Sequence, residues 1–184
     1  MVRDYARSDA DALTAVYRSA FDDRHPMAGG FHNYAVATRR AGGRLWVIAA
    51  EEPFGYAAVF PVPGLPHIVD LVCAIASERR GWGYGSRLIA RVLADLAGGS
   101  VRQVAHRVES LASPAAGFLR RLGFQLEHEE WILQLDPLHA PRAQPPDSSL
   151  RIVTLPRQEA IRLFQQLYEA SFAGLSWYQP FSTP

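Results

Sequence analysis

The stretch ERRGWGYGSRLIARVL, residues 78–93, sets three glycines at alternate positions, Gly81, Gly83 and Gly85, directly after Arg79 and Arg80 and directly before an amphipathic run. Glycine lets a backbone come close to a ligand. The first turn of a helix presents unpaired N–H groups at the positive end of its dipole, so a glycine turn that opens a helix beside arginines is a cradle for phosphate. Two common cradles do not fit. A dinucleotide fingerprint asks for G-x-G-x-x-G in the first βα unit, whereas counting from Gly83 puts Leu88 at the third glycine position, after several strands. A Walker loop asks for Gly-Lys-Ser/Thr, and the chain has no lysine at all. A plain turn that only caps a helix has no use for three glycines, each of which carries an entropic cost.

The elements that must position this loop follow from periodicity. SDADALTAVYRSAF places Leu13, Val16, Tyr17, Ala20 and Phe21 at helical spacing behind Ser8 as N-cap, with Asp11 three residues on. Residues 25–43 are rich in glycine and histidine and less periodic, and they lead into the runs RLWVIAA, FGYAAVFPV and HIVDLVCAIA, which read as consecutive strands of a meander. After the glycine loop, Leu88, Ile89, Val92, Leu93 and Leu96 mark one face of a second helix, over residues 86–97, stopped by Gly98 and Gly99. VRQVAHRV reads as a strand, Ser113 and Pro114 as the N-cap and first residue of a short helix ending near Gly123, and WILQL as a last strand. Helix, three strands, helix, strand, helix, strand make a mixed α/β fold.

Composition narrows the function. With 184 residues, 48% hydrophobic and 20% charged, the chain buries one good core. A net charge of +1, from 19 basic against 18 acidic residues, argues against an extended nucleic-acid or membrane surface. Every basic residue is arginine, so lysine self-acetylation is excluded. Cys73 stands alone and forms no internal disulfide, MVRDYARSDADAL lacks the apolar core of a signal peptide, and no run approaches membrane-spanning length. A cytoplasmic protein is expected.

Arg80-Gly81-Trp82-Gly83-Tyr84-Gly85 resembles the R/Q-x-x-G-x-G/A signature of the GNAT-superfamily N-acetyltransferases, and LVCAIASE before it is similar to that family's fourth strand. AAGFLRRLGF, residues 115–124, resembles the family's helix ending in F-Y-x-x-x-G-F, and the likeness runs from about residue 2 to about residue 135. The resemblance implies a GNAT fold, with a central, mostly antiparallel sheet, a splayed strand pair and flanking helices. It implies acetyl-CoA as co-substrate, its pyrophosphate held by Arg80, Gly81, Gly83, Gly85 and Ser86, with added charge from Arg79 and Arg87. It also implies that main-chain groups of Cys73 and Ile75 pair with the pantetheine amides and that an N–H near Cys73 polarises the thioester carbonyl, for direct attack by an amine.

An alkylammonium acceptor must lose a proton before it attacks, so a base is wanted near the strand. Asp70, an acid inside an otherwise apolar strand where burial would raise its pKa, is the candidate, although it stands one position from the family's strand carboxylate and a shift of one residue flips the face. Glu51 and Glu52, before Pro53, read as a solvated hairpin turn. His25, His32, His67 and His106 read as ordinary polar residues, and HEE at 128–130 as an exposed hairpin without the second histidine of a zinc helix. Where the family often has a tyrosine to protonate the leaving thiolate, this chain has Leu119. The alternative reading is therefore a catalytically weak acyl-CoA-binding or structural half of a tandem protein.

Residues 136–149, DPLHAPRAQPPDSS, read as an extended linker after a domain of residues 1–135. In the following segment, residues 150–184, LYEASF answers the earlier VYRSAF: Tyr168 aligns with Tyr17, Phe172 with Phe21, Leu167 with Val16 and Phe164 with Leu13. This strand-helix tail resembles the start of a second GNAT repeat, as in mycothiol-synthase-like tandem enzymes, with the chain stopping just after that copy begins. Its apolar face is expected to pack on the domain or to pair two chains. The other expected partner is a small-molecule or peptide amine, with neither nucleic acid nor membrane.

Overall fold

A computed structural model describes residues 1–21, 29–127, 129 and 153–174, and the chain divides into two compact units after Gly123. The first unit is a mixed α/β domain. Its sheet runs β1 (Val2–Asp4), β2 (Arg44–Ala49), β3 (Pro53–Val62), β4 (Leu65–Ile75) and β5 (Gln103–Ala105) in sequence order, antiparallel throughout except for the parallel pair of β4 and β5. The helices are α1 (Ala10–Ala20), α2 (Gly30–Arg40), α3 (Tyr84–Leu96) and α4 (Pro114–Arg121). The second unit contains α5 (Arg157–Phe172).

Alternation along the strands sends side chains to two faces. Tyr56 and Phe60 of β3 face α2, where Tyr56 meets Phe31 edge-on and Phe60 meets Tyr34. Trp46, Ala57 and Cys73 occupy the other face, where the Trp46 indole donates to Asp95 on α3 at 2.8 Å. Leu88, Ile89 and Val92 of α3 are fully covered, as are Leu13 of α1 and Phe31 of α2. Among the described residues, no helix is long and apolar enough to cross a membrane.

Two elements escaped the periodic reading. β1 is a three-residue edge strand, too short to show a period, and α2 occupies part of the segment read as irregular. Gly29 opens α2 in the left-handed conformation, and its buried stripe, Phe31, Ala35 and Thr38, includes a hydroxyl that satisfies itself on the Tyr34 carbonyl at 2.8 Å. A polar group in the core position hid the stripe. The N-cap of α1 is Asp9 rather than Ser8, after a 3-10 turn over Arg7–Asp9. The short helix behind Ser113 is as read, with the Ser113 hydroxyl accepting from the Ala116 N–H at 3.1 Å. WILQL, the linker at 136–149 and most of HEE lie outside the described residues. Residues 153–156, ahead of α5, form no strand, and α5 has no buried residue, with Phe164 and Leu167 more than half exposed. Its Tyr168 and Phe172 rings lie 5.0 Å apart, an i, i+4 contact like that of Tyr17 in α1 and the C-cap Phe21, 4.8 Å apart.

Among the described residues Asp9 is the buried charge, 3% exposed, and Arg3 grips it with two 2.7 Å bonds while the Ala6 N–H donates at 2.8 Å. The Arg3 hydrogen bonds hold the Asp9 carboxyl below the usual carboxylate range, outweighing burial, which acts the other way. A depressed folded-state pKa contributes stability above the unfolded value of about 3.9 and loses it as pH falls through the folded value. Because Arg3 is partly solvated, Asp9→Asn is expected to cost about 1.5 kcal/mol at neutral pH, the low end for a charge-assisted bond. Urea unfolding should show that gap closing on acidification below the folded value.

Candidate active site

β4 and β5 part company where the chain turns toward the glycine loop. Their parallel register covers Ile68 with Gln103, Val69 with Val104 and Asp70 with Ala105, and β5 ends there while β4 runs on to Ile75. Beyond Asp70 the outer edge of β4 has no paired strand among the described residues, and the opening that this leaves between β4 and the chain after β5 is the candidate cleft. Main-chain direction alternates along a strand, and four contacts set its phase here. The Ala76 N–H donates to Phe54 on β3 and the Ala74 carbonyl lies against Gly55, whereas the Leu71 carbonyl accepts from His106 and the Ile75 carbonyl from Arg80 Nε at 2.9 Å. Leu71, Cys73 and Ile75 thus turn their N–H and C=O groups away from β3.

Burial pushes the Cys73 thiol up to about 11, so it stays protonated at neutral pH and is a poor nucleophile. Gly81 and Gly83 both adopt positive φ, at 82° and 79°, with open space where a Cβ would stand. Gly83 is the N-cap of α3, so the Tyr84, Gly85 and Ser86 amides form a first turn without intrahelical acceptors. Gly85 has a second constraint: a Cβ there would meet the Phe118 ring of α4 at 3.0 Å. Arg79 lies over the Phe54 ring, 5.5 Å from its centroid, and Phe54 in turn packs edge-on against Tyr84 at 4.8 Å. These contacts fix the loop to the start of β3. The loop and the outward-facing edge of β4 fit an acyl-CoA: an extended strand edge for the pantetheine amides, leading to bare backbone and a helix dipole for the pyrophosphate.

Asp70 stands apart from that edge. It is exposed rather than buried, because Val69 and Leu71 take the covered face and Asp70, paired with Phe60, takes the α2 side. Glu51 and Glu52 are exposed in the β2–β3 turn, and His25 lies outside the described residues. The His32 ring meets the Tyr5 hydroxyl at 3.2 Å, and His67 is exposed on β4. Leu119 is packed in α4, 5% exposed. His106, read from sequence as an ordinary polar residue, sits where the strands diverge, with Nδ1 2.5 Å from the Leu71 carbonyl. No sequence signal marked it, since the contact spans 35 residues and depends on where β5 stops. Among the described residues there is no cluster of side chains that could hold a metal ion.

A family model described as an acetyltransferase (GNAT) domain matches residues 41–126, which hold β2 to α4. No curated protein sequence matches significantly. Among solved structures, a Trypanosoma brucei acetyltransferase aligns with a TM-score of 0.60 at 20% identity, over 73% of this chain and 99% of that one. A Staphylococcus aureus N-acetyltransferase shares the fold at 14% identity, with a TM-score of 0.59 over 68% of this chain and 82% of that one. A Brucella melitensis ribosomal-protein-alanine N-acetyltransferase aligns at 25% identity and a TM-score of 0.58, over 68% of this chain and 84% of that one. Fold, glycine loop and family model coincide on the same residues, and residues 41–126 are similar to a GNAT acetyltransferase domain.

Proposed function

We propose that the chain transfers an acetyl group from acetyl-CoA to a primary amine by direct attack. The observation that carries this reading is the divergence of β4 from β5, which bares the main-chain groups of Cys73 and the Ile75 N–H, the Ile75 carbonyl being taken by Arg80, and leads straight into the turn of Arg80, Gly81, Gly83, Gly85 and Ser86 at the head of α3. In this reading, the Cys73 N–H polarises the thioester carbonyl, the first-turn amides of α3 neutralise the pyrophosphate, and Arg79 and Arg87 add charge at its rim. Nitrogen forms a bond to the carbonyl carbon as the carbon–sulfur bond breaks. The Cys73 thiol, kept protonated by burial, supports direct attack over an acyl-cysteine intermediate. The same reading places the protein in the cytoplasm, with a small-molecule or peptide amine as acceptor.

A melting scan tests it. At 100 times its dissociation constant a ligand of the native state adds about 2.7 kcal/mol, which at roughly 2 to 8 °C per kcal/mol is plainly measurable. Acetyl-CoA and CoA are expected to raise Tm and NAD to leave it unchanged. No shift with either CoA species sinks the proposal. A second reading, an acyl-CoA-binding domain with little turnover, draws on Leu119, which puts a packed alkyl group in place of a hydroxyl on α4. Thiol release with a panel of amines, alanyl peptides first, separates the two: a melting shift without turnover favours the second.

A further inference from the structure

We infer that His106 is the proton acceptor of the transfer reaction, held at the apex of the strand divergence by Leu71. This rests on the acetyl-transfer reading above. In a parallel ladder the outward carbonyl of β4 after Asp70 would take a main-chain N–H from β5. Here the ladder has stopped at Ala105, and the Leu71 carbonyl accepts from the imidazole of the next residue, at 2.5 Å. A carbonyl only accepts, so Nδ1 carries the proton and the neutral ring keeps its lone pair on Nε2. Among the described residues Nε2 has no hydrogen-bond partner, and the ring is half-buried. The backbone bond fixes the tautomer, as a base requires.

Spacing along β4 supports the role. Cys73, whose N–H faces the cleft, lies two residues beyond Leu71, about 7 Å along the strand. That gap admits one attacking nitrogen about 3 Å from the thioester carbon and about 3 Å from the imidazole. As the nitrogen bonds to the carbonyl carbon, its proton passes to Nε2. The imidazolium then returns that proton to the departing sulfur, which leaves as a thiol, so the missing hydroxyl at Leu119 is no obstacle. The titratable groups on the elements meeting at His106 are His67, Asp70 and Cys73 on β4, His67 lying exposed toward its start, and, just beyond β5, Arg107 and Glu109. Asp70 is exposed on the α2 side, and Cys73 remains a thiol through neutral pH.

The test compares the full chain with His106→Asn, whose amide keeps an N–H donor at the Nδ1 position for Leu71, and with His106→Gln, whose amide reaches the Nε2 position; neither offers a basic nitrogen. Both variants are expected to keep the acetyl-CoA melting shift, which reports the fold and the co-substrate site. Across neutral pH, thiol release with the amine panel should show an acid limb in kcat/KM for the parent. The variants should lose that limb and about 10² to 10⁴ in rate. Independently, diethyl pyrocarbonate should modify His106 of the parent, read by peptide mass, and saturating acetyl-CoA should suppress it. Variants that keep the limb and a rate within a few-fold of the parent overturn the proposal. So does modification that acetyl-CoA fails to suppress while the melting shift is present, or a parent that binds acetyl-CoA and acetylates no amine. Absence of any melting shift in the parent instead overturns the underlying reading.

Discussion

Gly83→Val is expected to erase acetyl-CoA binding while leaving a folded domain. Gly83 holds φ at 79° as the N-cap of α3, and nothing lies within 4 Å of the position its Cβ would take. The Cβ of the variant therefore meets no clash, and the main cost is the backbone strain of a left-handed residue, roughly 1 to 2 kcal/mol. Its added isopropyl group stands in the space above the first-turn amides of α3, which is where the pyrophosphate must come to reach them. At least 100-fold weaker binding is expected, so that a ligand concentration giving about 2.7 kcal/mol of stabilisation to the parent gives the variant no more than about 0.4 kcal/mol. Gly98→Val serves as the control. It too has open space around it but lies beyond the far end of α3, and it should leave the shift intact. A full shift in Gly83→Val would remove the glycine loop from the co-substrate site.

Leu88→Ala is expected to cost about 2 to 5 kcal/mol, the range for emptying a packed core site of a large aliphatic side chain. Leu88 is fully buried one turn into α3, whose other end is tied to the sheet through Asp95 and Trp46. That loss is a large share of the stability of a domain this size and should lower Tm by several degrees per kcal/mol. Loop and substrate-facing edge are untouched by the change, so acetyl-CoA should restore about the same increment that it adds to the parent. Chemical denaturation with and without acetyl-CoA measures both quantities. A cost under about 1 kcal/mol would mean that the cavity collapses and that α3 is not held against the sheet as described.

Much of the architecture was legible because it is local. The period of Leu13, Val16 and Tyr17, the β-branched and aromatic runs of the meander, the serine cap before Pro114 and the glycine turn before α3 each follow from short-range sterics and hydrogen bonding, which travel with the sequence. α2 was not legible, since Thr38 looks polar in sequence and becomes apolar in effect only when its hydroxyl bonds to its own helix. The β4–β5 cleft lies further from the sequence still. Whether Asp70 is shielded, which way the main chain of Cys73 turns, that Gly85 lies close against Phe118, and that His106 meets Leu71 all depend on tertiary packing, strand register and where β5 ends. The amino-acid sequence by itself determined the glycine loop at the head of α3, because glycine's freedom at positive φ is a property of single residues. Only the tertiary structure decided which groups meet in the cleft, because a pairing shifted by one residue would turn every side chain on β4 to the opposite face.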